Sequence, residues 1–174
     1  YPAEVELRLP NRIGWDSPVL WSPDGELIHV DVWRSPGDAW SPAFISTSDG
    51  QTQVLLDGVR ATIGDTRWSA DSRFLFGQLL EGNQTSLARI ERETGAIQRL
   101  TPSGARLFEK GTYTAHDSSG RVVLLKASAS TPPDLWFVDS GQAPKQLTRL
   151  NPQIDQIRFG EVRELQWRNP DDGQ

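Results

Sequence analysis

A pentapeptide that returns constrains this chain more than anything else in it. Trp21-Ser22-Pro23-Asp24-Gly25 comes back 47 residues later as Trp68-Ser69-Ala70-Asp71-Ser72. A weaker copy, His116-Asp117-Ser118-Ser119-Gly120, lies one step of 48 further on with His116 in the place of the tryptophan, and Trp167 to Gly173 begins a fourth. A period of this size marks a repeat architecture, in which each unit is one supersecondary element that buries its apolar face against its neighbours.

Each copy has the same sequel: an apolar strand, a loop, a second strand, a tight turn, and a third strand ending in a Leu-Thr-like stop. In the first unit these strands are 27–33, 43–48 and 53–56, with Asp49-Gly50 at the turn. The second unit gives 74–80, 85–91 and 96–100 around Thr94-Gly95, and the third gives 122–128, 135–139 and 145–147 around Ser140-Gly141. With the strand before each motif, every unit holds four short antiparallel strands, and no long helical stripe interrupts them. The expected fold is all-β, a partial β-propeller of about three four-stranded antiparallel blades plus flanking strands. A β-sandwich with coincidental Asp-Gly turns is the competing architecture, but it requires no fixed period with matching internal order. The expected boundaries are 1–15 for a strand of a preceding blade, and 16–60, 61–104 and 105–152 for the blades. Residues 153–174 are expected to form the first strand of a further blade or the lead-in to a hydrolase domain.

The motif has a physical reading. Its tryptophan supplies a large apolar area between neighbouring sheets. In the turn, Pro presets φ, Asp accepts a hydrogen bond from its own backbone two residues on, and Gly takes positive φ without steric cost.

Composition mainly excludes. A net charge of -5, a pI near 5.0 and no basic run argue against a nucleic-acid partner. No stretch approaches the roughly 18 to 20 apolar residues that span a bilayer, and residues 1–10 lack the basic start and apolar run of a signal peptide, so no membrane partner is expected. Without Cys there is no disulfide framework, thiolate metal site or Cys nucleophile, and the compartment stays open, cytoplasmic or periplasmic and secreted alike. The chain has no Met and opens in what reads as a strand, Val5 to Leu9, so a missing N-terminal part is expected. Closed propellers typically need four to eight blades. Three blades would leave an apolar face at each end, and the expectation is a fragment whose copies pair through those faces.

The C-terminal third carries a resemblance. Ser130-Thr131-Pro132-Pro133-Asp134-Leu135-Trp136-Phe137-Val138-Asp139, then Gln146-Leu147-Thr148-Arg149-Leu150-Asn151-Pro152, then Gly160-Glu161-Val162-Arg163-Glu164-Leu165-Gln166-Trp167, resembles the last propeller blade of the prolyl oligopeptidase family, in its dipeptidyl-peptidase and acylaminoacyl-peptidase branches. The Trp-Ser-Pro-Asp-Gly units themselves are shared with TolB-type propellers. The resemblance implies a serine peptidase parent, whose propeller covers a separate α/β-hydrolase domain and restricts entry to peptides. Its implied partners are that domain, the remaining blades and peptide substrates. The alternative is a TolB-like binding module acting as a protein-interaction scaffold.

Chemistry within the chain is not expected. A hydrolase of this family needs a Gly-x-Ser-x-Gly elbow. Gly14 to Pro18 and Pro102 to Gly104 have the wrong spacing and read as turns, so no catalytic residue is assigned. His29 with Asp31 makes an incomplete metal pair, since catalytic zinc usually takes three protein ligands, and His29 reads as a strand residue. His116 reads as packing. No metal or cofactor is expected. Glu91-Arg92-Glu93 and Asp171-Asp172 read as solvated turns, the family's double-Glu amine-binding motif is absent, and the Asn83-Gln84-Thr85 sequon reads as a loop. Substrate contact is assigned to Arg34 and Trp40 in the connection Arg34 to Pro42, where a guanidinium and an indole suit a peptide carboxylate and side chain.

Overall fold

The computed structural model describes residues 12–13, 17–33, 40–56, 61–82, 84–102, 106–107, 113–115, 119–128, 130–139 and 142–161. The expected strand Val5 to Leu9 and the fourth motif copy lie outside the described residues.

The strands fall into three antiparallel sheets. The first holds β1 (Arg12–Ile13), β2 (Leu20–Trp21), β3 (Leu27–Trp33), β4 (Trp40–Ser46) and β5 (Thr52–Val54). The second is the four-stranded meander β6 (Thr62–Trp68), β7 (Phe74–Glu81), β8 (Gln84–Glu91) and β9 (Ile97–Arg99). β10 (Arg106–Leu107), β11 (Tyr113–Ala115), β12 (Val122–Ser128), β13 (Thr131–Val138) and β14 (Lys145–Gln146) make the third. In the first and third sheets the leading strand comes in two pieces on one neighbour, β1 and β2 on β3, β10 and β11 on β12. Each sheet is thus a four-stranded propeller blade, as expected. One assignment needs correction: Arg12–Ile13, grouped with a preceding blade, pairs with Trp33 and Val32 and belongs to the first sheet.

The turns behave as their chemistry predicts. Ser22 Oγ donates to Asp24 Oδ1 at 2.6 Å and accepts from the Leu27 N–H at 2.9 Å, while Asp24 accepts from the Glu26 N–H at 3.0 Å. Ser69 and Asp71 repeat the arrangement with Phe74 and Arg73. Gly25 sits at φ 74, whereas Ser72 takes the same conformation at φ 59 without a glycine's freedom. The Leu-Thr stop is likewise explained. Thr101 Oγ1 accepts from the Leu87 N–H and Thr148 Oγ1 from the Leu135 N–H, both at 2.9 Å, ending the outer strand on a side chain instead of a ladder bond.

Strand alternation puts apolar residues on both faces of the second sheet. Leu75, Leu79, Ala88 and Ile90 meet Phe44, Leu55 and Leu56 of the first sheet. Phe74, Phe76, Leu87 and Leu100 meet Val122, Leu124 and Val138 of the third. Burying each Leu, Ile, Val or Phe among them is worth about 1.5 to 3 kcal/mol, so these two joints hold the blades together. At the first joint the Trp68 indole stacks on Phe44 with centroids 4.9 Å apart, and its Nε1 donates to the Leu20 carbonyl at 3.3 Å.

The third copy of the motif is displaced from its expected place by one residue. Trp21 lies opposite Ile28 and Trp68 opposite Leu75; the residue opposite Val122 is Ala115, not His116. The bulk removed there returns on β13. Trp136, at the register position of Ala88 and Ala43, packs against the joint between second and third sheets. β13 also starts at Thr131 instead of Leu135. Pro132 and Pro133, which have no N–H to give, fall opposite the irregularity between Lys126 and Ser128, where no residue of β12 is in register with them.

Candidate functional site

A cleft of about 680 Å³ lies between the first and second sheets, walled by β2, β3 and the start of β4 on one side and by β6 on the other. Three indoles, Trp21, Trp40 and Trp68, share its lining with the carboxylates of Asp31 and Asp65 and the guanidinium of Arg67.

Local sequence explains how each arrives. Trp40 lies opposite Trp33 on the β3–β4 hairpin, the two rings edge to face at 4.9 Å, so that Trp40 is strand-borne. This corrects the expected loop from Arg34 to Pro42, since Ser41 and Pro42 also belong to β4. Asp31 lies opposite Pro42 in β4, and its N–H donates to Ser17 Oγ at 2.6 Å. On β6 the register jumps between Gly64 and Arg67, and Asp65 and Thr66 together oppose Gly77. This β-bulge turns Asp65 to φ 54 and holds its Oδ2 on Gln78 Nε2 at 3.1 Å. Bulges of this kind re-aim side chains. The backbone can approach so closely here because Gly77 has no Cβ: one added would fall 2.5 Å from Ile63 Cγ1.

Thr66, the other bulged residue, reaches across the joint. Its Oγ1 lies 2.7 Å from His29 Nε2, and the imidazole is wholly buried, edge-on to Phe44. Burial drives the His29 pKa down to about 4, opposed only in part by the Ala43 main chain. Nδ1 nevertheless has no hydrogen bond of good geometry. At neutral pH the ring is uncharged, so its 3.4 Å approach to Asp31 Oδ1 is a polar contact and not an ion pair.

The residues singled out from sequence are thus distributed unevenly. Trp40 is on the wall of the cleft, whereas Arg34, His116, Asn83 and Asp171-Asp172 lie outside the described residues. His29 is a wholly buried residue of β3, the strand position expected of it. The Glu91-Arg92-Glu93 turn is more than a solvated one: Arg92 bridges to Asp24 and Glu26 on the motif turn of the first sheet. There the Asp24 N–H also donates to Ser72 Oγ at 3.0 Å. Partial burial opposes ionisation of Asp24, but Ser22, the Glu26 N–H and Arg92 together bring its pKa down to about 2. Sequence reasoning missed Asp31, Asp65 and Thr66 as cleft and joint residues. The signal for two of them was Gly64 inside a strand pattern, which marks a bulge. Among the described residues no group of three or more His, Cys, Asp or Glu is placed to hold a metal ion.

Three blades joined in this way define a stretch of β-propeller, and solved structures of that class match it. The acylaminoacyl peptidase of Pyrococcus horikoshii superposes with a TM-score of 0.60 at 17% identity, over 80% of this chain and 21% of that one. The β-propeller domain of the trilobed protease from Pyrococcus furiosus, described as having an open velcro topology, matches with a TM-score of 0.59 at 20% identity over 78% of this chain and 38% of its own. TolB from Acinetobacter baumannii matches with a TM-score of 0.52 at 18% identity, over 77% of this chain and 33% of that one. At these identities the likeness is one of fold. No protein-family model and no curated protein matches the chain.

Proposed function

We propose that these blades belong to the propeller of a serine peptidase of the prolyl oligopeptidase kind, where they restrict the access of peptides to a separate α/β-hydrolase domain, and that the chain alone turns over no peptide. The observation that carries this reading is the likeness of the blade stack to the propellers of peptidases. The Pro-Pro-Asp-Leu segment supports it with a structural role. Asp134 Oδ1 accepts from the Leu150 N–H and the Thr148 hydroxyl, both at 2.8 Å, fixing the path by which the chain leaves the third blade. The peptide-facing surface in this reading is the cleft with Trp40, and Arg34 is its proposed companion.

The decisive test is the reading frame beyond Gln174. A Gly-x-Ser-x-Gly elbow followed by Asp and His is expected downstream; a run of further blade repeats with no elbow would favour instead a TolB-like interaction scaffold, to which the Acinetobacter TolB likeness lends support. Turnover of an aminoacyl chromogenic substrate by the purified chain, abolished by a serine-directed inhibitor, would contradict the inactivity.

A further inference from the structure

One wall of the cleft is a whole strand. All seven residues of β6, Thr62 to Trp68, line the cavity. β6 ends its sheet: β7 bonds one side of it, and among the described residues no strand bonds the other. The leading strands of the neighbouring blades come instead in pieces of two or three residues. Short pieces blunt an edge, whereas a long one presents a row of main-chain N–H and C=O groups to a further strand. β6 carries neither Pro nor Lys to repel one.

The register shows which groups these are. The Ser69 N–H donates to the Phe74 carbonyl at 2.8 Å, so Phe74 turns its main chain toward the leading strand. β7 runs in unbroken register with β8, and Phe76, Gln78 and Leu80 therefore turn the same way, toward Arg67, Gly64 and Thr62. Ile63 and Trp68, opposite Leu79 and Leu75, turn their main-chain groups away from β7. The bulge does not upset this order, because Asp65 and Thr66 together count as one position, opposite Gly77. Ile63, the bulge and Trp68 are thus three successive stations along one edge.

The first blade leaves space beside that edge. In its leading strand Ile13 lies opposite Val32 and Leu20 opposite His29, so six residues span a stretch that only Val30 and Asp31 span on β3. The Asp31 N–H goes to Ser17 Oγ, and Ser17 and Pro18 stand on the cleft wall across from β6. Trp40 and Trp21, the latter 61% exposed, share that wall. A cavity of about 680 Å³ lies within the usual ligand-pocket range of about 300 to 1,000 Å³.

We propose that the cleft takes an extended peptide segment by strand addition, its main chain bonding the outward edge of β6 at Ile63 and Trp68 and its alternate side chains lying against Trp21 and Trp40. The assignment rests on the cleft as the peptide-facing surface and is independent of what catalytic domain the blades serve. Main-chain bonds select an extended conformation, and the indoles then favour large apolar residues at every second position.

The experiment is NMR titration of the isotopically labelled full chain with N-acetyl-Thr-Leu-Thr-Leu-Thr amide and two analogues. One analogue is N-methylated at both leucines, the other at the last two threonines. A strand pairs through alternate residues only, so one analogue should bind like the parent peptide and the other about tenfold more weakly. The amide signals of Ile63 and Trp68 should shift on binding. Equal affinity of all three peptides, or equal loss in both analogues, overturns strand addition and leaves the peptide-facing cleft standing. Shifts confined to β5, β9 or β14 place the peptide on an outer edge and overturn the assignment to β6. Failure of the parent peptide to bind removes the cleft reading and the proposal together. Every arm uses the unaltered chain.

Discussion

His29 occupies the same register position in the first blade as Phe76 does in the second, and both are wholly buried. A phenyl ring thus holds the equivalent place in the second blade, and the imidazole is set apart by its bond to Thr66. Removing one partner of a buried hydrogen bond leaves the other unsatisfied, at about 1 to 3 kcal/mol, whereas removing both can be nearly neutral. His29→Phe should destabilise the chain by that amount in urea unfolding, and adding Thr66→Val should recover most of the loss. The same residue sets an acid limb. Its folded-state pKa of about 4 lies below the ordinary 6.5, so between these values the unfolded chain binds the extra proton. Its contribution is fully present above pH 6.5 and is lost as pH falls toward 4. The shift corresponds to roughly 3 kcal/mol at most. Asp24 acts in a lower window: with a folded pKa of about 2 against 3.8, its contribution is present above 3.8 and lost as pH falls toward 2. Urea midpoints measured across pH should therefore lose the limb from 6.5 to 4 in His29→Phe and keep the lower one. From sequence, the strand position of His29 was legible because apolar alternation surrounds it. Its partner was not, since Thr66 reaches it only through a bulge in a different blade.

At the level of single strands, the leading strand of the second blade departs from regularity through its bulge. Gly77 is its counterpart: the equivalent positions in the other blades are Val30 and Leu124, but here Ile63 and the bulged backbone occupy the space. Gly77→Ala should cost about 1 to 3 kcal/mol through overpacking. Pairing it with Ile63→Ala should recover part of that loss relative to the sum of the two single changes, a non-additivity that a double-mutant cycle would read. Strands with strict alternation and flanking turn residues were readable at once, and 27–33 and 122–128 have their expected ends. Turn chemistry was equally readable, because Ser, Asp and Gly act within a few residues of themselves. β13 was not. Two prolines ordinarily argue against a central strand, and only the irregularity in β12 opposite them makes room. The same holds for Trp40, whose place in a strand depends on its ring meeting Trp33 across the hairpin.

Across the whole molecule, apolar joints and polar straps divide the work of holding blades in order. The Arg92 bridge to Asp24 and Glu26 lies at the surface, where ion pairs contribute about 0 to 1 kcal/mol and weaken with salt. Arg92→Ala should lower stability by less than about 1 kcal/mol, and salt at about 1 M should abolish even that difference. The far face of the third blade has no such modest role in our reading. Val123, Leu135 and Leu147 stand there at 36 to 50% exposure, in the register positions of Phe76, Leu87 and Leu100, which the second blade buries against the third. We propose that two copies of the chain associate through this face. Light scattering should show concentration-dependent pairing that Leu135→Glu removes, and a strict monomer at high concentration would refute it. The blade architecture could be read from sequence because a repeat states the same solution three times. The cleft could not, because it is made from what differs between blades.

The second blade carries Trp68 on its leading strand and Ala88 at the register position where the third blade carries Trp136, so the indole that serves each joint comes from a different strand. Blades that share a backbone are then not interchangeable parts. The second blade offers the preceding one an indole on its leading strand and the third offers one on its third strand, so exchanging the two would place each indole against a surface built for the other. The order of these blades is in this sense written into the positions of two tryptophans. A search for a conserved aromatic at one fixed position would accordingly pass over the third blade, whose tryptophan serves the same joint from a different strand.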